Sequence, residues 1–336
     1  MLNLFAHVCT GGEGRYDDSL LYQAAELYFV QDMTMGAVAE RLGVSRSTVS
    51  RMLADAKARG IVTITLRPPD TPTDRLSRRI HDTFRVTAHI AGTQRASHSG
   101  QRLDAVSRYT AQLLASWVQD GTSLGVAWGT TTSAIASHVR RTNTQDVSVV
   151  QLNGAAGPRT AGTDASAPLL STLAQAFNAE LYPFPTPAFF DWEQTRTLLW
   201  QESSVRRILA ARASVDLAVF SVGAFHGPVL SQVYTEGHLS SSELRSLSAH
   251  RVVGDICTVF IREDGSYSDI ELNRRASGPT PADLARIPRR VCVVSGRHKV
   301  RGIVGALRSG AVTDLVIDDL TAKDVLDHVD GAGARP

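Results

Sequence analysis

The sequence predicts two folded parts: a small N-terminal winged helix-turn-helix, then a larger Rossmann-like α/β domain with a mostly parallel sheet. Three observations predict it. The segment Leu42-Gly43-Val44-Ser45-Arg46-Ser47-Thr48-Val49-Ser50-Arg51 reads as the tight turn and following helix of a helix-turn-helix. From Val86 onward, short β-rich runs alternate with longer helical patterns, the order expected of an α/β sheet. Between them, Arg67-Pro68-Pro69-Asp70-Thr71-Pro72-Thr73 places three prolines in seven residues, which stops regular structure and reads as a linker. The expected boundaries are a disordered lead-in over 1–16, the winged helix-turn-helix over 17–67, the linker over 68–84, in which Leu76–Phe84 is a candidate helix, and the α/β domain over 85–330.

The first helix is expected from about Asp18 to Gln31, because Leu20, Ala24, Leu27 and Tyr28 fall at i, i+4, i+7 and i+8. Thr34 is placed to cap a short second helix with Val38, Ala39 and Leu42 turned inward, and Gly43 supplies the permissive backbone of a sharp turn. Ser45 is placed to cap the third helix, and Val44 can pack on Val49 as a hydrophobic staple. Val49, Met52, Leu53 and Ala56 form the inward stripe of that helix. After it, Gly60-Ile61-Val62-Thr63-Ile64-Thr65-Leu66 alternates apolar and β-favouring residues, which predicts a wing strand.

What remains outward near the start of the third helix is short and polar or basic, which suits phosphate oxygens and base edges in a major groove. The candidate DNA contacts are Thr34, Ser45, Arg46, Ser47, Thr48, Ser50, Arg51 and Lys57, with Arg46 suited to reading guanine. Over residues 41–67, Arg41, Arg46, Arg51, Lys57, Arg59 and Arg67 face a single acid, Asp55, in a chain whose formal net charge is only +2. Positive charge is concentrated where DNA would lie. The plainer alternative is a three-helix cluster with a solvated basic face.

With 336 residues, 43% of them hydrophobic, the chain has room for a large second core. No run of about 18 apolar residues is present and the N-terminus lacks a signal-peptide pattern, so a cytoplasmic protein without a membrane span is expected. Cys9, Cys257 and Cys292 are odd in number, far apart and without a Cys-x-x-Cys pair, so neither disulfide, metal site nor cofactor is expected.

In the second part, strands are expected at Val86–Ile90, Ser123–Ala127, Val147–Leu152, Leu217–Val222, Ile256–Ile261, Val291–Val294 and Leu315–Ile317. Helical patterns include Leu103–Val118 and Val300–Arg308, the latter bringing Ile303, Ala306 and Leu307 together. In such sheets ligands sit beyond the carboxyl ends of the strands, so the loops there are candidates. Gly129, Thr130 and Thr131 end one strand before a helix and offer amides and hydroxyls to an anion or a polyhydroxyl group, or else simply start a helix. Gln151, Asn153 and Gly154 offer amide groups suited to hydroxyls, or an Asn-Gly turn. Asp255 stands beside a glycine in Val253-Gly254-Asp255-Ile256. Ser295-Gly296-Arg297-His298-Lys299 puts cations at another switch, with Lys299 able to neutralise a phosphate, or forms a basic surface cluster.

Together these segments resemble the SorC family of sugar-responsive transcriptional regulators, the DeoR-like group. The resemblance spans nearly the whole chain. It is carried by Ala25-Glu26-Leu27-Tyr28-Phe29, Ala39 to Arg51 and Gly60-Ile61-Val62-Thr63-Ile64, then by Gly125 to Thr131, Val149 to Gly154, Val253 to Ile256 and Ser295 to Lys299. It implies a sheet similar to the sugar-phosphate isomerase and deaminase folds, a homotetramer or dimer of dimers, and an operator affinity controlled by a sugar, polyol or sugar phosphate. It further implies that Gly129, Thr130 and Thr131 meet a phosphate end with help from Lys299, while Gln151, Asn153 and Asp255 face hydroxyls. Ala127, Thr131-Thr132, Ser295-Gly296 and Val222-Gly223-Ala224-Phe225 depart from the family pattern, which leaves unphosphorylated ligands open.

Two other readings stand beside it. A sugar-phosphate isomerase- or deaminase-like enzyme fused to a DNA-binding domain would need a poised acid-base pair, yet Asp255, His226 and His298 lie in separate segments without a catalytic spacing. A constitutive DNA-binding protein would use the large domain for assembly alone.

Overall fold

The computed structural model describes residues 16–62, 71–93, 98–155, 166–227, 230–235 and 237–333. The chain divides into two compact units, residues 1–69 and 70–336.

In the first unit, α1 (Asp18–Ala25) runs into a π-helical turn at Glu26–Val30, where the sequence predicts one α-helix to Gln31. The Gln31 amide bonds the Glu26 carbonyl at 3.0 Å, which closes this wider turn. Leu21, Ala24, Ala25 and Leu27 are the buried stripe, whereas Leu20 and Tyr28 only pack at its edge. α2 (Met35–Leu42) starts at Thr34, whose hydroxyl accepts from the Ala37 amide at 3.3 Å, and ends at Gly43 with φ 67°. That left-handed turn is available to glycine without a β-carbon penalty, and it aims α3 (Arg46–Ala58) across α2. Ser45 caps α3 by accepting the Thr48 amide at 3.1 Å, and Val49, Met52, Leu53 and Ala56 are all buried. Burying Met52 or Leu53 is worth roughly 1.5–3 kcal/mol each. Gly60, Ile61 and Val62 form a turn rather than the start of a strand, with the Val62 amide bonding Ala56 O at 3.2 Å; the rest of the expected wing, Thr63–Leu66, lies outside the described residues.

The second unit opens with α4 (Pro72–Phe84). The linker expected over 68–84 is therefore helical for most of its length. Thr71 and Asp74 form a capping box, Pro72 occupies the first turn where its missing N–H is harmless, and Ile80 is buried in the core. α4 lies on β1 (Thr87–Ala91), with the Ser77 hydroxyl donating to Ala88 O at 2.6 Å.

The further strands are β2 (Ser123–Val126), β3 (Ser148–Gln151), β4 (Glu180–Tyr182), β5 (Leu217–Phe220), β6 (Val222–Ala224), β7 (Val252–Ile256), β8 (Val259–Arg262), β9 (Arg289–Val294) and β10 (Asp314–Asp318). Seven of them form a parallel sheet in the order β1-β10-β9-β5-β2-β3-β4, and β6-β7-β8 form a separate antiparallel sheet. Connections run outward from β2 through β3 to β4, then restart on its other side at β5, so the topology switches between β2 and β5. Alternate residues of one strand feed opposite faces: Cys292 and Val294 join one core cluster while Val291 and Val293 join the other. Helices α5 (Ser99–Trp117), α6 (Thr130–Ala136) and α7 (Ala167–Ala176) cover one face. The other face carries α4, together with α13 (Val300–Arg308) and α14 (Asp319–Gly333), which follow α8 (Glu193–Leu199), α9 (Ser203–Ala213), α10 (Gln232–Thr235), α11 (Ser241–Ala249) and α12 (Pro281–Leu284) along the chain.

Two expected strands are redrawn. Leu217–Val222 breaks at Ser221, where the chain leaves the parallel sheet for the antiparallel one. Ile256–Ile261 is a hairpin: Cys257 and Thr258 take φ 50° and 70°, a left-handed pair that turns β7 into β8 without glycine or asparagine. Val253–Asp255 consequently lies inside β7 rather than in a loop after a strand. Beyond that, α13 matches the expected Val300–Arg308, and α5 extends the expected Leu103–Val118 by one turn.

Candidate functional site

On the first unit, the exposed start of α3 presents Arg46, Ser47, Ser50 and Arg51, with Thr48 half-buried. Three of the expected contact hydroxyls are already engaged. Ser45 Oγ lies 2.8 Å from both Ser47 Oγ and Thr48 Oγ1 and accepts the Thr48 amide, so this cluster holds the cap. The Thr34 hydroxyl is likewise committed to the Ala37 amide. Arg51 Nε donates to Ser47 O at 3.3 Å, laying that guanidinium along its own helix. Lys57, near the far end of α3, holds its ammonium 5.4 Å from the centre of the Phe29 ring. Among the described residues Arg46 is exposed with no such tether.

On the second unit, a cavity of about 230 Å³ lies at the carboxyl ends of β2, β3, β5 and β9, over the topological switch. It brings together Gly129, Thr130, Thr131, Asn153, Asp255 and Lys299, which are scattered over 170 residues of sequence. Gly129 has φ 154°, a conformation glycine adopts freely, and its carbonyl accepts from the Thr132 hydroxyl at 3.0 Å as α6 begins. Asn153 follows β3 directly. Asp255 enters from β7 of the small sheet, which reaches over the end of the parallel one.

Gln151 and Gly154 do not line the cavity. The Gln151 side chain is fully buried and spent on structure: Nε2 donates to Asn153 O at 3.0 Å, and Oε1 accepts from the Phe184 amide at 2.6 Å. Gly154 is held at both ends, its amide donating to Ser277 Oγ at 2.9 Å and its carbonyl accepting from Trp128 Nε1 at 2.7 Å. A β-carbon there would stand 2.3 Å from Thr186 O, so the glycine serves packing. Both residues fix the shape of the turn that carries Asn153.

Other lining residues are not among the expected effector contacts. Ser221 sits at the break between β5 and β6 and donates to Thr131 Oγ1 at 3.3 Å. Trp128, Ser295 and His298 also face the cavity. His298, part of the segment read as a cationic loop or a basic surface cluster, is half-buried with Nε2 shielded from solvent, and burial holds its imidazole below the usual range with Lys299 adding to the effect. A trace of this was present in Gly296, whose φ of 111° lets the chain turn His298 inward. Arg297 faces elsewhere, bonding Asp324 at 2.6 and 3.0 Å.

Among the described residues, four buried polar atoms of the cavity lining have no hydrogen-bond partner: Asn153 Oδ1, Asp255 Oδ1, Ser295 Oγ and His298 Nε2. Leaving such groups unsatisfied costs about 1–3 kcal/mol each, so their convergence marks a place for a polar ligand. Asp255 is 5% exposed and receives the Thr258 amide on Oδ2 at 3.2 Å. Burial pushes its carboxyl up to about 6, while the nearby Tyr234 hydroxyl, the Thr258 amide and the Lys299 ammonium draw it partly back. Burial lowers Lys299 from the usual lysine range, against the pull of Cys292 and Asp255. The Cys257 thiol, also at the cavity wall, is raised well above its usual value by burial and stays protonated. No group of His, Cys, Asp and Glu fit to hold a metal occurs among the described residues, and no helix there is long and apolar enough to cross a membrane.

Comparison with known proteins fits both units. Residues 71–327 match a family described as "Putative sugar-binding domain", and residues 21–71 match the MarR family. The chain is 31% identical over 316 residues to the deoxyribonucleoside regulator of Bacillus subtilis, covering 94% of this chain and 99% of that one. A crystal structure of a domain of a possible sugar-binding transcriptional regulator from Arthrobacter aurescens superposes with a TM-score of 0.71 at 38% identity, covering 78% of this chain and all of that one. The full-length sorbitol operon regulator of Klebsiella pneumoniae has the same fold, with a TM-score of 0.68 at 24% identity over 92% of this chain and 99% of that one.

Proposed function

The chain belongs to the SorC/DeoR-like family of sugar-binding transcriptional regulators, and from that premise we propose that it binds operator DNA through α3 with an affinity set by a small carbohydrate. The effector sits in the cavity formed by Gly129, Thr130, Thr131, Asn153, Asp255 and Lys299, with Ser295 and His298 completing it. The observation that carries this reading is the convergence of unpartnered buried polar atoms on one cavity at the switch point of the sheet. Arg46, Ser50 and Arg51 meet the DNA, Ser45 and Thr34 shape the helices that present them, and Lys57 adds charge. The protein works in the cytoplasm as a homotetramer. Coupling between the sites runs through subunit contacts that differ between the effector-bound and free states. The matched relatives are named as regulators, so the enzyme alternative gains no support.

A thermal-shift screen over sugars, polyols and their phosphates, followed by gel-shift titration on DNA selected from a random duplex library, tests the reading. A true effector raises the melting temperature by mass action and changes DNA affinity. A protein that selects no DNA, or whose DNA affinity no carbohydrate alters, would refute it.

A further inference from the structure

We infer that the effector is a neutral carbohydrate, a sugar or polyol presenting at least two hydroxyl groups and carrying no phosphate. This rests on the carbohydrate reading above and narrows it.

The hydrogen-bonding direction of the cavity comes first. Asn153 Oδ1 and Asp255 Oδ1 are acceptors in residues 1% and 5% exposed, and among the described residues neither receives a well-formed hydrogen bond, although the Tyr234 hydroxyl lies near enough to act on the Asp255 carboxylate. A ligand that satisfies both must bring two N–H or O–H groups to them. A phosphate dianion brings none, so an ester would have to satisfy both with the sugar hydroxyls it keeps while placing its charge elsewhere in the cavity. Sugar hydroxyls donate and accept at once, which also suits Ser295 Oγ and His298 Nε2.

Charge decides the rest. Among the described lining residues the formal charges are Lys299 and Asp255, of opposite sign and near enough to act on one another. No described arginine lines the cavity, and the third titratable group with a polar head there, His298, is held toward its neutral form by burial. A monophosphate dianion would meet an ammonium whose charge Asp255 already offsets, leaving buried negative charge uncompensated. Nor does the loop after β2 make up the difference. α6 spans only seven residues, and the Thr132 hydroxyl is committed to Gly129 O. An amino sugar fails by the same balance, since its ammonium would meet an already offset pair and leave buried positive charge uncompensated. The remaining wall mixes Ser99, Ser231 and Gln232 with apolar Leu103, Trp128 and Val222, which suits the hydroxyls and C–H faces of an uncharged carbohydrate.

The test uses matched pairs on the full-length protein: erythritol against erythritol 4-phosphate, D-glucitol against D-glucitol 6-phosphate, and D-ribose against D-ribose 5-phosphate. Melting temperature and affinity for the selected DNA are read for each. At least one free compound should raise melting by about 3 °C or more at about 10 mM, with its ester binding at least about tenfold more weakly. An ester that binds as tightly as its free partner overturns the inference while leaving the carbohydrate reading intact. Silence from both members of every pair, in melting and in DNA affinity, sinks both. Asp255→Asn supplies a second arm: removing the carboxylate frees the Lys299 charge, so preference should move toward the ester by about tenfold or more. Unchanged selectivity in that variant, checked for intact melting, overturns the charge argument.

Discussion

Asp255 Oδ1 occupies the space that a side chain at Gly223 would fill: a β-carbon on Gly223 would stand 2.0 Å from that oxygen and 2.9 Å from Ser231 Oγ. The two residues face each other across paired strands β6 and β7. Gly223 thus sets where the carboxylate lies in the cavity. Gly223→Ala forces the Asp255 head group to rotate away, and its flexible end can yield without moving backbone. We expect a loss of effector affinity of about tenfold or more with a stability change of about 1–3 kcal/mol, and near-normal DNA binding. Calorimetric titration and gel shift on the same preparation check it; unaltered effector affinity would mean that Asp255 Oδ1 does not touch the ligand.

The raised Asp255 carboxyl makes stability depend on pH with a definite sign. An unfolded aspartate ionises near 3.8 and the folded one at about 6, so between those values the folded state holds the extra proton. Stability present below pH 4 is therefore lost as pH rises through 6. The displacement of about two pKa units is on the order of 2–3 kcal/mol at most. In Asp255→Asn the urea-unfolding free energy should vary less between pH 5 and 8 than in the unmodified protein. Parallel curves for the two proteins would show that Asp255 is not the group responsible.

The two arginines at the start of α3 should do different work. Arg46 is exposed and untethered, free to reach a base edge, while Arg51 is laid along the helix by its bond to Ser47 O. Arg46→Ala should cost about 1–3 kcal/mol and relax the preference for one base in selections from a random library. Arg51→Ala should weaken binding evenly across sequences and lower the salt slope by about 1. Identical selected motifs for Arg46→Ala and the unmodified protein would remove Arg46 as a reader.

The first unit was readable because its signals are local. Thr34, Gly43 and Ser45 cap and turn helices within four residues of themselves, and the stripe of Val49, Met52, Leu53 and Ala56 follows from a fixed period. Even there, sequence took the Ser45, Ser47 and Thr48 hydroxyls for DNA contacts, although they bond to one another. In the second unit the parallel strands other than the short edge strand β4 announced themselves by apolar runs, and the loops after β2 and β9 were legible from glycine beside polar residues. The small antiparallel sheet was not. Its turn at Cys257 and Thr258 carries none of the usual turn residues, so Asp255 was read in a loop when it belongs to a strand. Gln151 shows a further limit, because an amide side chain has the same chemistry whether it faces a ligand or, as here, the Phe184 backbone. His298 lies in a candidate loop, but only Gly296 beside it hints that the ring turns inward to the cavity.

Arg212 is a half-buried cation bonded to the backbone beside the Asn153 turn. Its Nη1 donates to Leu152 O and Ser277 O at 3.0 Å each, and its guanidinium lies 5.4 Å from the centre of the Phe184 ring. Burial lowers it to about 10, which still leaves it charged at neutral pH. Together with Gln151 Nε2 on Asn153 O and the Gly154 amide on Ser277 Oγ, these bonds hold the backbone on both sides of Asn153 and leave its Oδ1 without a partner at the cavity. Arg212→Met keeps much of the apolar stem but leaves two carbonyls unpaired, which should cost about 2–4 kcal/mol in urea unfolding. If Arg212 only bolts the fold together, effector affinity of the molecules still folded will be unchanged. If it positions Asn153, affinity will fall by about tenfold or more at a temperature where the variant is fully folded, and DNA binding by the separate first unit will persist. Titration well below the melting temperature of Arg212→Met distinguishes the two, and retained affinity would reduce Arg212 to a strut.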